Sequence, residues 1–261
     1  MTINSELSYL QCQQQQGVLT IRFTHYEKRN ALTNQCLEEL AGVLEWADLN
    51  GDIGAVVLTG GERCFAAGAD LNELASQGAI DTWLNPRPLL WQRLNEFNKP
   101  LLAAVNGYAL GAGLELALLC DIVIAGKKTV FGLPEITLGL MPGAGGTQRL
   151  VRTVGKSLAN QMVLTGQPIT AERALDAGLV SEVVVTELTI ERTQAIAETI
   201  AQRAPLAIKA AKQALQQVPN TTLDQGLKQE RQLFITLAAS NDRQEGIDAF
   251  FNKRSPKYKG N

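Results

Sequence analysis

Three short runs of this chain, residues 54–59, 100–105 and 122–125, are almost wholly apolar. A strand with one wet face alternates apolar and polar residues. A continuous apolar run this short reads as a strand covered on both faces. Strands of that kind belong to sheets whose crossover helices pack over them. The segments between them fit. Residues 33–50 place Leu37, Leu40, Val43, Leu44 and Ala47 on one face of a helix. Gly146–Val154 and Lys156–Thr165 read as two more helices, parted by Gly155. The fold class is α/β. The pattern fits a recurring strand–turn–helix unit and a doubly wound sheet equally well.

The two ends differ. Residues 7–10 and 18–23 read as strands of a hairpin, with Gln13 to Gln16 and Gly17 as its polar turn. Residues 170–177 form a short helix capped by Thr170 and stopped by Gly178, and residues 180–185 are strand-like. From residue 189 to 253 the pattern is nearly all helical, interrupted at Pro205 and Pro219. A boundary near residue 190 therefore separates a core, residues 1–190, from a helical region, residues 191–261. Helical regions of this kind pack on a neighbouring subunit as well as on their own core.

Charge and composition narrow the function. The 261 residues carry 24 basic and 26 acidic side chains, a net charge of −2, so no nucleic-acid footprint is expected. Cys12, Cys36, Cys64 and Cys120 are scattered and read as free thiols of a reducing, cytoplasmic setting. One histidine, His25, without a His/Cys cluster speaks against zinc, and no metal is expected. His25 sits where a strand gives way to a loop and reads as a solvated side chain. The first ten residues hold Glu6 and no Lys or Arg, unlike a targeting segment. Apolar runs are broken by Gly, Asn or charge, so no membrane span is expected.

Two glutamates carry the chemistry. Glu115 ends Gly111-Ala112-Gly113-Leu114-Glu115, and Glu135 ends Phe131-Gly132-Leu133-Pro134-Glu135. A lone carboxylate buried in such surroundings is costly unless it has work to do. Three Gly-rich turns accompany them: Phe65 to Leu71, Asn106 to Gly113, and Gly139 to Gln148. Small residues let a ligand approach the backbone, and a helix start leaves N–H groups free for an anion. The second turn lacks GxGxxG and Gly-Lys-Ser/Thr, so it does not read as a nucleotide loop. No GxSxG is present. Asp70 reads as a cap for the helix starting near Leu71. Two carboxylates beside an oxyanion site suit water addition to, or removal from, an activated double bond.

At these residues the chain resembles the crotonase (enoyl-CoA hydratase/isomerase) superfamily over essentially its whole length. The matching segments are Lys28-Arg29-Asn30-Ala31-Leu32, residues 66–71, 100–120, 131–149, 166–180 and 242–260. Asn85-Pro86-Arg87-Pro88, Trp91, Lys99-Pro100 and Arg231-Gln232-Leu233-Phe234 add a closer likeness. That likeness is to bacterial hydratases acting on a dicarboxylic enoyl-CoA in phenylacetate degradation.

The resemblance implies a crotonase-like spiral of ββα turns with a helical C-terminal region, built as a homotrimer or a dimer of trimers. It implies an acyl-CoA thioester as substrate and no separate cofactor. Whether a pathway enzyme docks on the surface stays open. The thioester oxygen would take the backbone N–H groups of Ala69 and Ala112; many relatives have Gly at the second position. Glu115 would deprotonate water for attack at Cβ, and Glu135 would deliver a proton to Cα. CoA and substrate contacts would fall on Lys28, Arg29, Ala67, Gly68, Asp70, Leu71, Gly111 and Gly143. Lys253 and Lys257 would reach a neighbour's CoA phosphates. Arg87 is the candidate in the acyl pocket for a distal carboxylate. One departure stands out: His25-Tyr26 occupy the place of a usual Arg-Pro pair. Isomerisation, general short-chain hydration and a non-catalytic acyl-CoA-binding subunit are the rival readings.

Overall fold

The computed structural model describes residues 7–75 and 78–261. Nine strands are described: β1 (Leu10–Gln15), β2 (Val18–Phe23), β3 (Ala55–Thr59), β4 (Leu101–Val105), β5 (Tyr108–Leu110), β6 (Ile122–Gly126), β7 (Val130–Gly132), β8 (Ile169–Thr170) and β9 (Glu182–Val184). Six form one sheet in the order β1-β2-β3-β4-β6-β9, and three form a second, β5-β7-β8. All pairings of the large sheet are parallel except β1 with β2.

That order decides the topology. A doubly wound sheet reverses direction at a switch point, where its ligand binds. Here each strand adds beside its predecessor, so the chain winds one way, as a spiral. Residues 101–119 show one turn of it. β4 leads through Asn106-Gly107 into β5, which joins the small sheet, and the helix Ala112–Leu119 follows. The next turn repeats this with β6, β7 and the helix Gly146–Val154.

The apolar runs are strands as expected, β3 and β4 buried at every position and β6 at all but Ile122. Their alternate residues feed two cores. Val56, Leu58, Leu101 and Ala103 join the large core, which also takes Leu37, Leu40 and Leu44 of the helix Asn34–Leu49. Val57, Leu102 and Ala104 face a smaller core closed by Ala197, Ile190, Ile196 and Ile200. These last four lie on the helix Thr189–Ala201, so the first C-terminal helix covers the second face of the sheet.

The hairpin differs from expectation. The first strand runs through the glutamines, Leu10–Gln15, and only Gln16 and Gly17 remain at the tip. Leu10 and Cys12 point inward while Gln11 and Gln13 face water, the alternation of an edge strand. Both tip residues have positive φ, +49° and +78°, which matches a two-residue turn to the strand twist. The strand expected over residues 180–185 contracts to β9. Pro205 opens a helix, Pro205–Gln217, where its missing N–H costs nothing. The C-terminal region ends in two further helices, Leu223–Leu237 and Asn241–Phe251. Among the described residues, no helix is long and apolar enough to cross a membrane.

Candidate active site

The three Gly-rich turns meet because the small sheet extends sideways. Phe131 of β7 pairs with Ala109 of β5, Ala109 bridges to Ala66, and Ala69 bridges to Leu32. The lateral hydrogen bonds include Gly111 N–H to the Gly132 carbonyl (2.9 Å), Leu110 N–H to Ala66 (3.1 Å) and Leu32 N–H to Gly68 (2.8 Å). Ala112 opens an eight-residue helix. Among the described residues, no hydrogen bond within the chain uses the N–H of Ala69 or of Ala112. Two unused donors therefore stand on neighbouring turns, one of them at the positive end of a helix.

They border a cavity of about 800 Å³. Of the residues singled out in the sequence, Ala67, Gly68, Ala69, Leu71, Gly111, Ala112, Glu115, Glu135, Gly143 and Arg87 line it. Lys28, Arg29, Asp70, Lys253 and Lys257 do not. Asp70 sits behind the wall, buried, accepting from Asn72 N–H (2.8 Å) and 3.6 Å from the Lys28 ammonium. Its pKa is lowered, first by the Asn72 N–H and also by Lys28. Lys253 and Lys257 are exposed in the C-terminal region. His25 is half-buried and stacks on Tyr9 at 5.2 Å, not solvated as expected.

The two glutamates have unlike surroundings. Glu115 is only 2% exposed. Its Oε1 accepts from Ala144 N–H at 2.7 Å and Gly146 N–H at 2.8 Å. Burial raises its pKa, and these two donors with Arg87 and Arg149 oppose the rise. Glu135 opens a short 3₁₀ turn, Glu135–Leu138, and its carboxylate lies against the backbone of Gly111. A Cβ added at Gly111 would stand 3.1 Å from Glu135 Oε1, and φ there is +51°. The Glu135 Oε2 is buried without a partner. Burial, and after it the charge of Glu115, pushes the Glu135 carboxyl up to about 7. One site thus holds a carboxylate braced as an anion and a carboxyl poised to keep its proton, an acid and a base from one residue type.

The brace was not foreseen residue by residue. Density of glycine marked the 139–148 turn as a close approach, but not that Ala144 and Gly146 would grip Glu115. Arg149 was missed as well. Its guanidinium donates to the Ala144 carbonyl (2.9 Å) and to Asn95 Oδ1 (3.0 Å), tying the gripping loop to the facing helix, Arg87–Asn95. Its only sequence signal is a cation three residues into a helix that starts at Gly146.

The chain is similar to known proteins along its length. The family model described as enoyl-CoA hydratase/isomerase matches residues 13–261. The 2,3-dehydroadipyl-CoA hydratase of Escherichia coli (strain K12) is 56% identical, over 97% of this chain and all of that one. The mitochondrial enoyl-CoA hydratase of Pongo abelii is 45% identical over 88% of this chain and 79% of its own. Among solved structures, an enoyl-CoA hydratase from Bacillus anthracis superposes with a TM-score of 0.93 at 37% identity, covering 97% of this chain and all of that one. The one-way spiral, the paired glutamates and these likenesses agree, and the chain belongs to the enoyl-CoA hydratase/isomerase family.

Proposed function

We propose that this protein adds water across the 2,3 double bond of an enoyl-CoA, with 2,3-dehydroadipyl-CoA as its substrate and 3-hydroxyadipyl-CoA as product. The observation that carries the reading is the split between the two glutamates. Conjugate addition needs a base for the water and an acid for Cα. Glu115, gripped by Ala144 and Gly146 N–H, is the base. Glu135, pushed up to about 7, is the acid. Negative charge gathers on the thioester oxygen as water attacks Cβ. The N–H groups of Ala69 and Ala112 receive it, and losing one such donor typically costs ~10²–10³ in rate. Shifting a double bond requires neither a bound water nor two carboxyl groups of opposed character. The identity of the acyl chain follows the Escherichia coli relative, which is named for that substrate.

The assembly is a homotrimer or a dimer of trimers. The helix Leu223–Leu237 has no buried residue, and Leu223, Leu227, Phe234 and Ile235 are exposed on it. An apolar set that size on one helix is expected to be covered by a partner. In that assembly Lys253 and Lys257 reach a neighbour's CoA phosphates.

The test is loss of enoyl-thioester absorbance with 2,3-dehydroadipyl-CoA and crotonyl-CoA in parallel. Fast loss with preference for the dicarboxylate is expected. Loss with neither, together with conversion of a 3-enoyl-CoA, overturns hydration in favour of isomerisation.

A further inference from the structure

Among the described residues, four side-chain polar atoms are buried without a hydrogen-bond partner. Three belong to residues that line the cavity described above: Glu135 Oε2, Arg87 Nη2 and Trp91 Nε1. Native structures leave few such atoms, and each one asks for a reason. Glu135 has one in the reaction. The other two are both donors, and neither hydrogen-bonds to Glu115 or Glu135.

Arg87 and Trp91 stand four residues apart on the helix Arg87–Asn95, hence on one face of it. Trp91 is 7% exposed. The Arg87 guanidinium is held from behind. Its Nη1 donates to the Leu32 carbonyl (2.9 Å) and to Asn34 Oδ1 (3.3 Å). Asn34 in turn donates to Asn85 Oδ1 (3.0 Å), which also caps the Arg87 N–H (2.9 Å). Among the described residues Arg87 makes no ion pair. A half-buried cation without an ion pair in a largely apolar cavity is answered only in part by the charges of Glu73 and Glu115, and an anion meeting its free edge lowers its cost. The Trp91 indole N–H, about one helical turn along the same face, adds a second, uncharged donor.

We infer that Arg87 and Trp91 form a receptor for a carboxylate at the far end of the acyl chain, and so set the substrate class of this site. A carboxylate has two oxygens and accepts the guanidinium edge and the indole N–H together. A chain ending in a methyl group leaves both donors unpaired. Sites built to hydrogen-bond a substrate group discriminate strongly against the analogue lacking it. The inference rests on the hydratase reading above and assigns the residues that choose among enoyl-CoA esters.

The test compares two six-carbon 2-enoyl-CoA esters, one ending in a carboxylate and one in a methyl group. The readout is the ratio of their kcat/KM values. The wild-type protein is expected to favour the carboxylate. Arg87→Met is expected to lower that ratio about 100-fold, and Trp91→Phe, which keeps the ring and removes the N–H, about 5-fold. Arg87→Lys keeps the charge without the planar fork and is expected to fall between wild type and Arg87→Met. A far-ultraviolet circular dichroism spectrum matching wild type reports that each variant is folded, and any effect of Arg87 on Glu115 is common to both thioesters and cancels in the ratio. An unchanged ratio in folded Arg87→Met, or a wild-type protein indifferent to the carboxylate, overturns the receptor and leaves hydration standing. Failure of the wild type to hydrate either ester overturns the hydratase reading itself. Should Arg87→Met fail to fold, Arg87→Lys and Trp91→Phe decide: unchanged ratios in both overturn the receptor.

Discussion

The two walls of the cavity are built from different materials. The inner wall is mostly backbone: the N–H groups of Ala69 and Ala112, and those of Ala144 and Gly146 gripping Glu115. The outer wall is mostly side chain: Arg87, Trp91 and their neighbours on one helix. Backbone donors are fixed by φ and ψ and by the sheet that carries them. They are preorganised at no cost when charge develops. Side chains can be exchanged singly without unwinding a turn. On the reading proposed above, the difference separates two properties: the reaction in the spiral's backbone, the choice of substrate on the helix laid across it.

Substitutions on the inner wall should therefore cut turnover while leaving CoA-ester binding nearly intact. The largest effect is expected for Glu115→Gln and Glu135→Gln, each lowering kcat by ~10²–10⁴. Product-CoA affinity, measured by calorimetry, should change only a few-fold. Near-normal turnover in either variant would remove that glutamate from the mechanism. The same pair sets a pH dependence. Glu135 must hold its proton to donate it, so activity falls as pH rises through about 7. Glu115 must be ionised, so activity also falls on the acid side, at a pH above the ordinary glutamate value. A pH–rate profile of Glu135→Gln that keeps the alkaline limb would break the assignment.

Next in size is Ala112→Pro, which deletes one N–H at the first position of a helix, where proline is otherwise accepted. A kcat loss of ~10²–10³ is expected, with Ala112→Gly near wild type because it keeps the donor. Comparable rates for the two variants would show that the N–H is not used. Smaller again is Gly146→Ala. Its Cβ would arrive 2.9 Å from Glu115 Oε1 and 2.9 Å from Pro142 Cβ. The carboxylate must shift, and turnover is expected to fall by up to ~10². The acid limb of the pH profile should move upward as the grip loosens. A fall in affinity with unchanged kcat would place Gly146 among binding residues and blur the contrast between the walls.

Much of the inner wall was legible before folding. Buried strands announce themselves by composition, since a run such as Ala55–Thr59 has no face that suits water. Helix limits near Gly146, Gly155 and Gly166 follow from local backbone preference. The Gln-rich hairpin strand was misplaced because an edge strand needs only Leu10 and Cys12 inward, a weak signal among polar residues. The outer wall was harder to read. The resemblance points to Arg87 as a site residue, but gives no such role to Trp91 or Arg149. A tryptophan or arginine on a helix gives no sign, by itself, of what its N–H will face.

By itself the sequence determined the α/β class, the paired glutamates and the three turns able to approach a ligand. These depend on local propensity and on residue types that few other roles accommodate. The one-way strand order, which no periodicity encodes, is implied only by the family resemblance and is realised in the packed sheet. The tertiary structure alone joined Glu115 to donors 29 and 31 residues away, and so separated the proton affinities of two chemically identical side chains. Those outcomes depend on where backbone N–H groups point and how much water is excluded, and both are set only when distant segments pack together.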